Sequence, residues 1–244
     1  MNSGYYAAFS GLLARTHALD LAANNLANAN TAGYKAQRGF YQSLLASTNG
    51  NALTGLNRAI NNFGVLGGGV VDARPGNMEP TGNPLDVAIE GSAFLAVQTP
   101  AGVRYTRNGS LQLSTTGQLQ TSEGYPVLGD QGPITIPSGQ VSLSTDGTFS
   151  VKGAIAGKLR LVEFAPGTEL VPEGNSLFTV PAGAERPATD SQVRQGALES
   201  SNISPVTGAV NLIILQRHAE MLQRALSIFH TEFNRTAAEE LPRV

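Results

Sequence analysis

Residues 24–37 read NNLANANTAGYKAQ, and four asparagines (Asn24, Asn25, Asn28 and Asn30) fall within seven positions at the end of an otherwise good helical stretch. Asparagine is a weak helix former because its short amide competes for backbone hydrogen bonds. It also tolerates left-handed backbone, caps helix ends, and offers a donor and an acceptor without a charge to desolvate. That combination suits a crowded helix end. Asn30, Thr31 and Gly33 stop the helix, with Gly33 free to take a positive φ, and Tyr34 and Lys35 begin the next element. A plain capped end accounts for Asn28 to Gly33 and leaves Asn24 and Asn25 over.

Upstream of this stretch, Tyr5, Phe9, Leu12, Thr16, Leu19, Ala23 and Leu26 recur at alternating spacings of four and three. This is the period of a seam that meets another helix, and it predicts a helix over about 3–29. The far end of the chain repeats the pattern in Leu212, Leu215, Ala219, Leu222, Leu226, Phe229 and Phe233, behind Ser204-Pro205 as cap and first-turn proline. A second helix is expected over about 205–238. Two seams at opposite ends suggest that the termini pair as a coiled coil; the alternative is two amphipathic helices packed separately on the middle of the chain. The first helix favours pairing, since residues 1–34 carry only Arg15 and Asp20 as charges, which describes a helix contacted on several sides.

Between the helices the period changes to two. LDVAIE (85–90), AFLAVQ (93–98), VRYTR (103–107) and SLQLS (110–114) alternate or run apolar over short lengths, separated by turn residues such as Asn108-Gly109. Short loops make these strands antiparallel. The expected organisation is α+β: a helical coiled-coil domain from 1–45 and 200–244, a linker or contact segment at 46–74, an all-β domain at 75–185, and a return linker at 186–199.

Composition narrows the function. The 244 residues are 41% hydrophobic, enough for real cores, with a formal net charge of -2 and no charge block to steer the chain to nucleic acid or an anionic membrane. No apolar run approaches the roughly 20 residues needed to span a bilayer, and the N-terminus lacks the form of a cleaved signal peptide. With no cysteine, disulfides, thiolate metal sites and cysteine nucleophiles are excluded. Charged residues make up only 14%, low for a freely soluble monomer, so much of the surface is expected to be covered.

Sites for chemistry are poor. His218 and His230 lie too far apart in angle on one helix to share a metal, and His17 brings no supporting carboxylates, so interface or surface histidines are expected. GVLGGGV (64–70) lacks the strand before and the Lys-Ser/Thr after that a phosphate loop requires, and reads as a flexible linker. Asp86, Glu90, Asp130 and Asp146 sit at strand ends or turns, where solvated carboxylates are the default. No cofactor, metal or small-molecule substrate is expected. A carbohydrate-binding or hydrolytic module with helical oligomerisation ends, or a surface adhesin, remain as readings from other classes.

The run ANNLANANTAGYKAQ (23–37) resembles the N-terminal signature of the bacterial flagellar axial proteins, the rod and hook family. LDVAIEGSAFLAVQ (85–98), YTRNGSLQLSTTGQL (105–119), GYPVLG (124–129) and GPITIP (132–137) resemble its core-domain signatures, and GALESSNISPVTGAVNLIILQR (196–217) its C-terminal signature. The resemblance is nearest the proximal-rod branch, with the distal-rod branch second. It implies a non-enzymatic subunit of the basal-body rod, passed unfolded through the flagellar type III export apparatus without cleavage. It implies helical polymerisation in the periplasm with copies of itself and other rod proteins, as part of the drive shaft and export channel. It further implies an inner domain in which the terminal helices pair, with the β-domain outside. Carried over by position, the motif places Asn24, Asn25, Leu26, Ala27, Asn28, Thr31, Gly33 and Tyr34 in the turn and inter-subunit contacts, and Phe9, Leu12, Leu19, Leu222, Leu226 and Phe229 in helix pairing.

Overall fold

The computed structural model describes residues 2–42 and 65–240. Helix α1 spans Asn2–Ala27, helix α2 spans Pro205–Glu240, and a strand-rich region lies between them. The chain divides into two compact units. The first takes Met1–Leu26, Gln37–Gly69 and Val206–Val244; the second takes Ala27–Ala36 and Val70–Pro205.

In the first unit, β1 (Gln37–Gln42) pairs with β2 (Val65–Val71). The expected linker at 46–74 is therefore strand in its later part, and its residues 46–64 lie outside the described ones. VLGGGV (65–70) lies in this strand and is not a flexible loop; a β-carbon added at Gly69 would make an ordinary contact with α1, 3.9 Å from Leu21 Cδ2. The glycines hide the strand from a reading based on apolar alternation.

In the second unit every strand pairing is antiparallel. β3 (Met78–Pro80) pairs with the last strand, β19 (Ala197–Glu199), and β4 (Val87–Glu90) pairs with β18 (Gln192–Gln195). A six-stranded sheet runs in the order β15 (Val171–Gly174), β16 (Leu177–Thr179), β6 (Gly102–Thr106), β5 (Phe94–Thr99), β14 (Leu161–Phe164) and β17 (Glu185–Pro187). Smaller ribbons join β7 (Leu111–Leu113) to β8 (Leu119–Thr121), and β9 (Leu128–Gly129) to β10 (Gly132–Pro133). A third sheet orders β11 (Val141–Leu143), β12 (Thr148–Val151) and β13 (Ala154–Lys158).

Strand β5 shows why the middle of the chain reads as apolar runs. Leu95 and Val97 point into one core, with Val87, Ile89, Phe149 and Leu159. Phe94 and Ala96 point into a second, with Tyr105, Val162 and Phe178. A strand buried on both faces needs apolar residues at every position. Both edge strands of the six-stranded sheet carry a proline, Pro172 on β15 and Pro187 on β17, which removes a backbone donor where further strands would add.

Two expected boundaries need correction. Residues 186–199 are not a return linker but carry β18 and β19; β18 has one apolar residue, Val193, between Gln192 and Arg194, too few to show a period. Segment 27–36 and residues up to Pro205 belong to the β-rich second unit and not to the helical one. Backbone bonds explain this: Gly33 N donates to Glu199 O at 2.7 Å, and Asp72 N to Ala36 O at 2.8 Å.

Candidate functional site

The asparagine-rich stretch divides its work between the two units. In the first, the Asn25 amide forms a two-way clamp on one residue: its Nδ2 donates to Gln37 O at 2.7 Å, and its Oδ1 accepts from Gln37 N at 2.9 Å. A primary amide carries the same donor and acceptor pair as a peptide unit, so Asn25 stands in for a strand partner at the start of β1. Asn24 is exposed and Leu26 half-buried. In the second unit, Ala27 is exposed, and Asn28 turns the chain by accepting from Thr31 N at 3.1 Å and, through Oδ1, from Thr31 Oγ1 at 3.2 Å.

Gly33 follows with φ +65. A β-carbon there would stand 2.2 Å from the Arg107 carbonyl carbon, so both conformation and space demand glycine. Tyr34 is buried, and its carbonyl accepts from Asn202 N at 3.4 Å.

The next residue, Lys35, opens a buried ion knot. Its Nζ donates to Glu199 Oε1 at 2.5 Å and to Arg74 O at 2.8 Å. The other carboxylate oxygen of Glu199 accepts from Arg107 Nη1 at 3.0 Å, and Gly76 N donates to Oε1 at 2.8 Å. Arg107 also donates to the carbonyls of Ile89 at 3.2 Å and Gly91 at 2.6 Å, with its guanidinium 5.0 Å from the centre of the Phe94 ring. The Lys35 and Glu199 side chains are 0% exposed and that of Arg107 is 1%. Burial pushes the Lys35 ammonium and the Arg107 guanidinium below their ordinary pKa values, opposed chiefly by the Glu199 carboxylate. Beside the knot, Asn202 Oδ1 accepts from Ala36 N at 2.8 Å, and its Nδ2 donates to Asp72 O at 2.8 Å.

Sequence reasoning passed over Lys35, Arg107 and Glu199. Nothing local marks them: Lys35 lies three residues before Arg38 and Arg107 three residues after Arg104, so each reads as an ordinary charge. On the helices, Leu12 and Leu19 are half-buried, while the fully buried positions of α1 among the described side chains are Ala14, Ala18 and Ala22. On α2, Leu222 and Leu226 are half-buried and Ala219 is fully buried; the side chains of Phe9 and Phe229 lie outside the described ones. Among the described residues no group of His, Asp and Glu has the arrangement to hold a metal, and no helix is long and apolar enough to cross a membrane.

Three family models match this chain: "Flagella basal body rod protein" over residues 6–35, "Flagellar hook protein FlgE/F/G D1 domain" over 88–151, and "Flagellar basal body rod FlgEFG protein C-terminal" over 194–231. A flagellar basal-body rod protein FlgF of Caulobacter vibrioides is 33% identical over 248 residues, covering 100% of both chains. The chain belongs to the flagellar basal-body rod protein family. The FlgF of Salmonella typhimurium is 34% identical, with 93% of this chain and 94% of the relative covered. A FlgG of Borreliella burgdorferi is 31% identical at the same coverage. The ion knot takes one charged residue from each family-matched region of this rod-family chain: Lys35, Arg107 and Glu199.

Proposed function

We propose that this chain is a structural subunit of the flagellar basal-body rod, of the proximal-rod kind, acting by assembly and not by catalysis. The observation that carries this is the similarity to rod proteins along nearly the whole chain, through both helices and the β-rich unit. The surface of α2 supports it. At about 100° per residue, Leu212, Leu215, Ala219, Leu222 and Leu226 line one side. Val206, Val210, Ile213, Ile214, Met221 and Ile228 are exposed on the opposite side. A helix apolar on two opposite faces is suited to burial by more than one partner.

In this reading α1 and α2 pair antiparallel as an inner coiled coil, with the β-rich unit outside. Both helices fall in the same unit, and each leaves the second unit at one end. Ala14 and Ala219, both buried, lie about 20 Å from those ends, at matching heights. Alanines at a helix crossing allow interaxial distances near the short end of the usual range, about 8 Å. Asn24, Asn25, Leu26, Ala27, Asn28, Thr31, Gly33 and Tyr34 then form the turn and the inter-subunit contacts. Phe9, Leu12, Leu19, Leu222, Leu226 and Phe229 carry the helix pairing. Subunits join through unlike surfaces into an open helical polymer, with copies of this chain and other rod proteins as neighbours. The chain reaches the periplasm through the flagellar type III export apparatus without cleavage.

Deleting the gene in its own bacterium and imaging basal bodies by electron cryotomography tests the function. Rods that stop short, with motility restored by the wild-type gene, are expected. Full-length rods and normal swimming in the deletion strain overturn the reading.

A further inference from the structure

We infer that the Lys35–Glu199–Arg107 knot is a root clamp: by tying segment 33–36 to segment 199–202, it holds together the points from which α1 and α2 depart and pre-organises the two helices for pairing. The inference rests on the pairing reading above and adds the device that makes pairing efficient.

Four contacts fasten the two segments inside the second unit. They are the Lys35–Glu199 ion pair at 2.5 Å, Gly33 N to Glu199 O at 2.7 Å, Ala36 N to Asn202 Oδ1 at 2.8 Å, and Asn202 N to Tyr34 O at 3.4 Å. Segment 33–36 follows α1 by a short turn, and segment 199–202 precedes Pro205, the first residue of α2. Lys35 and Glu199 are 164 residues apart in sequence, so no local preference joins them. Arg107 braces the pair by gripping the carbonyls of Ile89 and Gly91, which makes the clamp part of the β-core.

The chemistry of the clamp selects one arrangement. Two buried cations share one carboxylate, each oxygen of which faces one of them, and a shift of either segment would strand a buried charge. Pre-organisation matters because a helix of this length draws most of its stability from tertiary contact. Tethering two helices by fixed roots converts their meeting into an intramolecular step, and loosening the roots lowers the effective concentration steeply with the length of chain set free.

The chain has no cysteine, so spin labels can be placed uniquely in the full-length protein. His17→Cys and Gln216→Cys are both exposed and lie at similar distances from the helix roots. Pulsed electron paramagnetic resonance then reads the distance between α1 and α2. A narrow, short distance is expected with the clamp intact. With Glu199→Gln or Asn202→Ala the short-distance population should fall, by about tenfold for Glu199→Gln, and with Asn202→Ala the amides of Val97 and Phe149 in the β-core stay protected. Should Glu199→Gln lose that core protection, Asn202→Ala, which strands no buried charge, decides. A broad distribution in the unmodified background would mean that the pairing reading itself fails. A narrow distribution in every variant, with the Ala36 amide exchanging freely, would overturn the clamp alone.

Discussion

A β-carbon at position 33 would collide with the Arg107 backbone at 2.2 Å, whereas one at Gly82, which has φ +75, would meet nothing within 4 Å. The two glycines therefore separate conformational strain from steric exclusion. Gly82→Ala should cost about 1–2 kcal/mol from left-handed backbone alone. Gly33→Ala should cost clearly more, about 3 kcal/mol or greater, because the backbone must also move. Urea denaturation of both variants measures the difference. At the ion knot, Glu199→Gln should destabilise by about 3–5 kcal/mol, since Lys35 and Arg107 stay buried without their counter-ion. The triple change Lys35→Met, Arg107→Met and Glu199→Leu should be near neutral in the same assay, since it removes every charge together. Burial holds the folded-state Lys35 below its ordinary pKa of 10.5, so the folded chain binds this proton less tightly than the unfolded chain. The Lys35 contribution is then full above 10.5 and is lost as pH falls through the lowered folded value. The stability of the wild type relative to Lys35→Met should rise with pH across that alkaline window in urea midpoints; a flat difference would contradict the burial cost.

At the scale of elements, the Asn25 side chain ties the end of α1 to the start of β1. Asn25→Ala removes both clamp bonds to Gln37, a loss of about 1–2 kcal/mol, and should speed hydrogen exchange of the Gln37 amide about tenfold while leaving the β-core unchanged. The pairing reading makes a separate statement about the alanines. Ala219 is 5% exposed, so Ala219→Leu adds bulk where no space remains and should lower stability by about 1–3 kcal/mol, read from the helical signal in thermal circular dichroism. An unchanged melting temperature would place the buried face of α2 elsewhere.

For the whole molecule, the two core clusters of the β-rich unit draw, among the described residues, on that unit alone. Damage confined to the helices should therefore leave that unit intact. Leu226→Asp places a charge on the half-buried face of α2 and should abolish rod assembly and motility while cooperative unfolding of the β-rich unit persists. Motile cells carrying only this variant would contradict the proposed role of the helices in assembly. The exposed apolar side of α2 agrees with a chain whose low charge content predicts extensive covering, since a subunit inside a polymer does not need a fully polar surface.

Local chemistry determined much of this protein. Periodicity alone located both helices and the short antiparallel strands from β4 to β7, because burying one face or both leaves a mark within a few residues. Gly33 was legible as a turn residue, and the asparagines as groups needing partners, because each acts close to its own place in the chain. Strands β2 and β18 were not legible, as glycines and isolated valine carry no period. The knot was decided by the tertiary structure alone. Lys35, Arg107 and Glu199 look like ordinary charges in the sequence, and only closure of the β-rich unit, which brings residues 92 and 164 positions apart to one dry point, makes each of them the condition for burying the others.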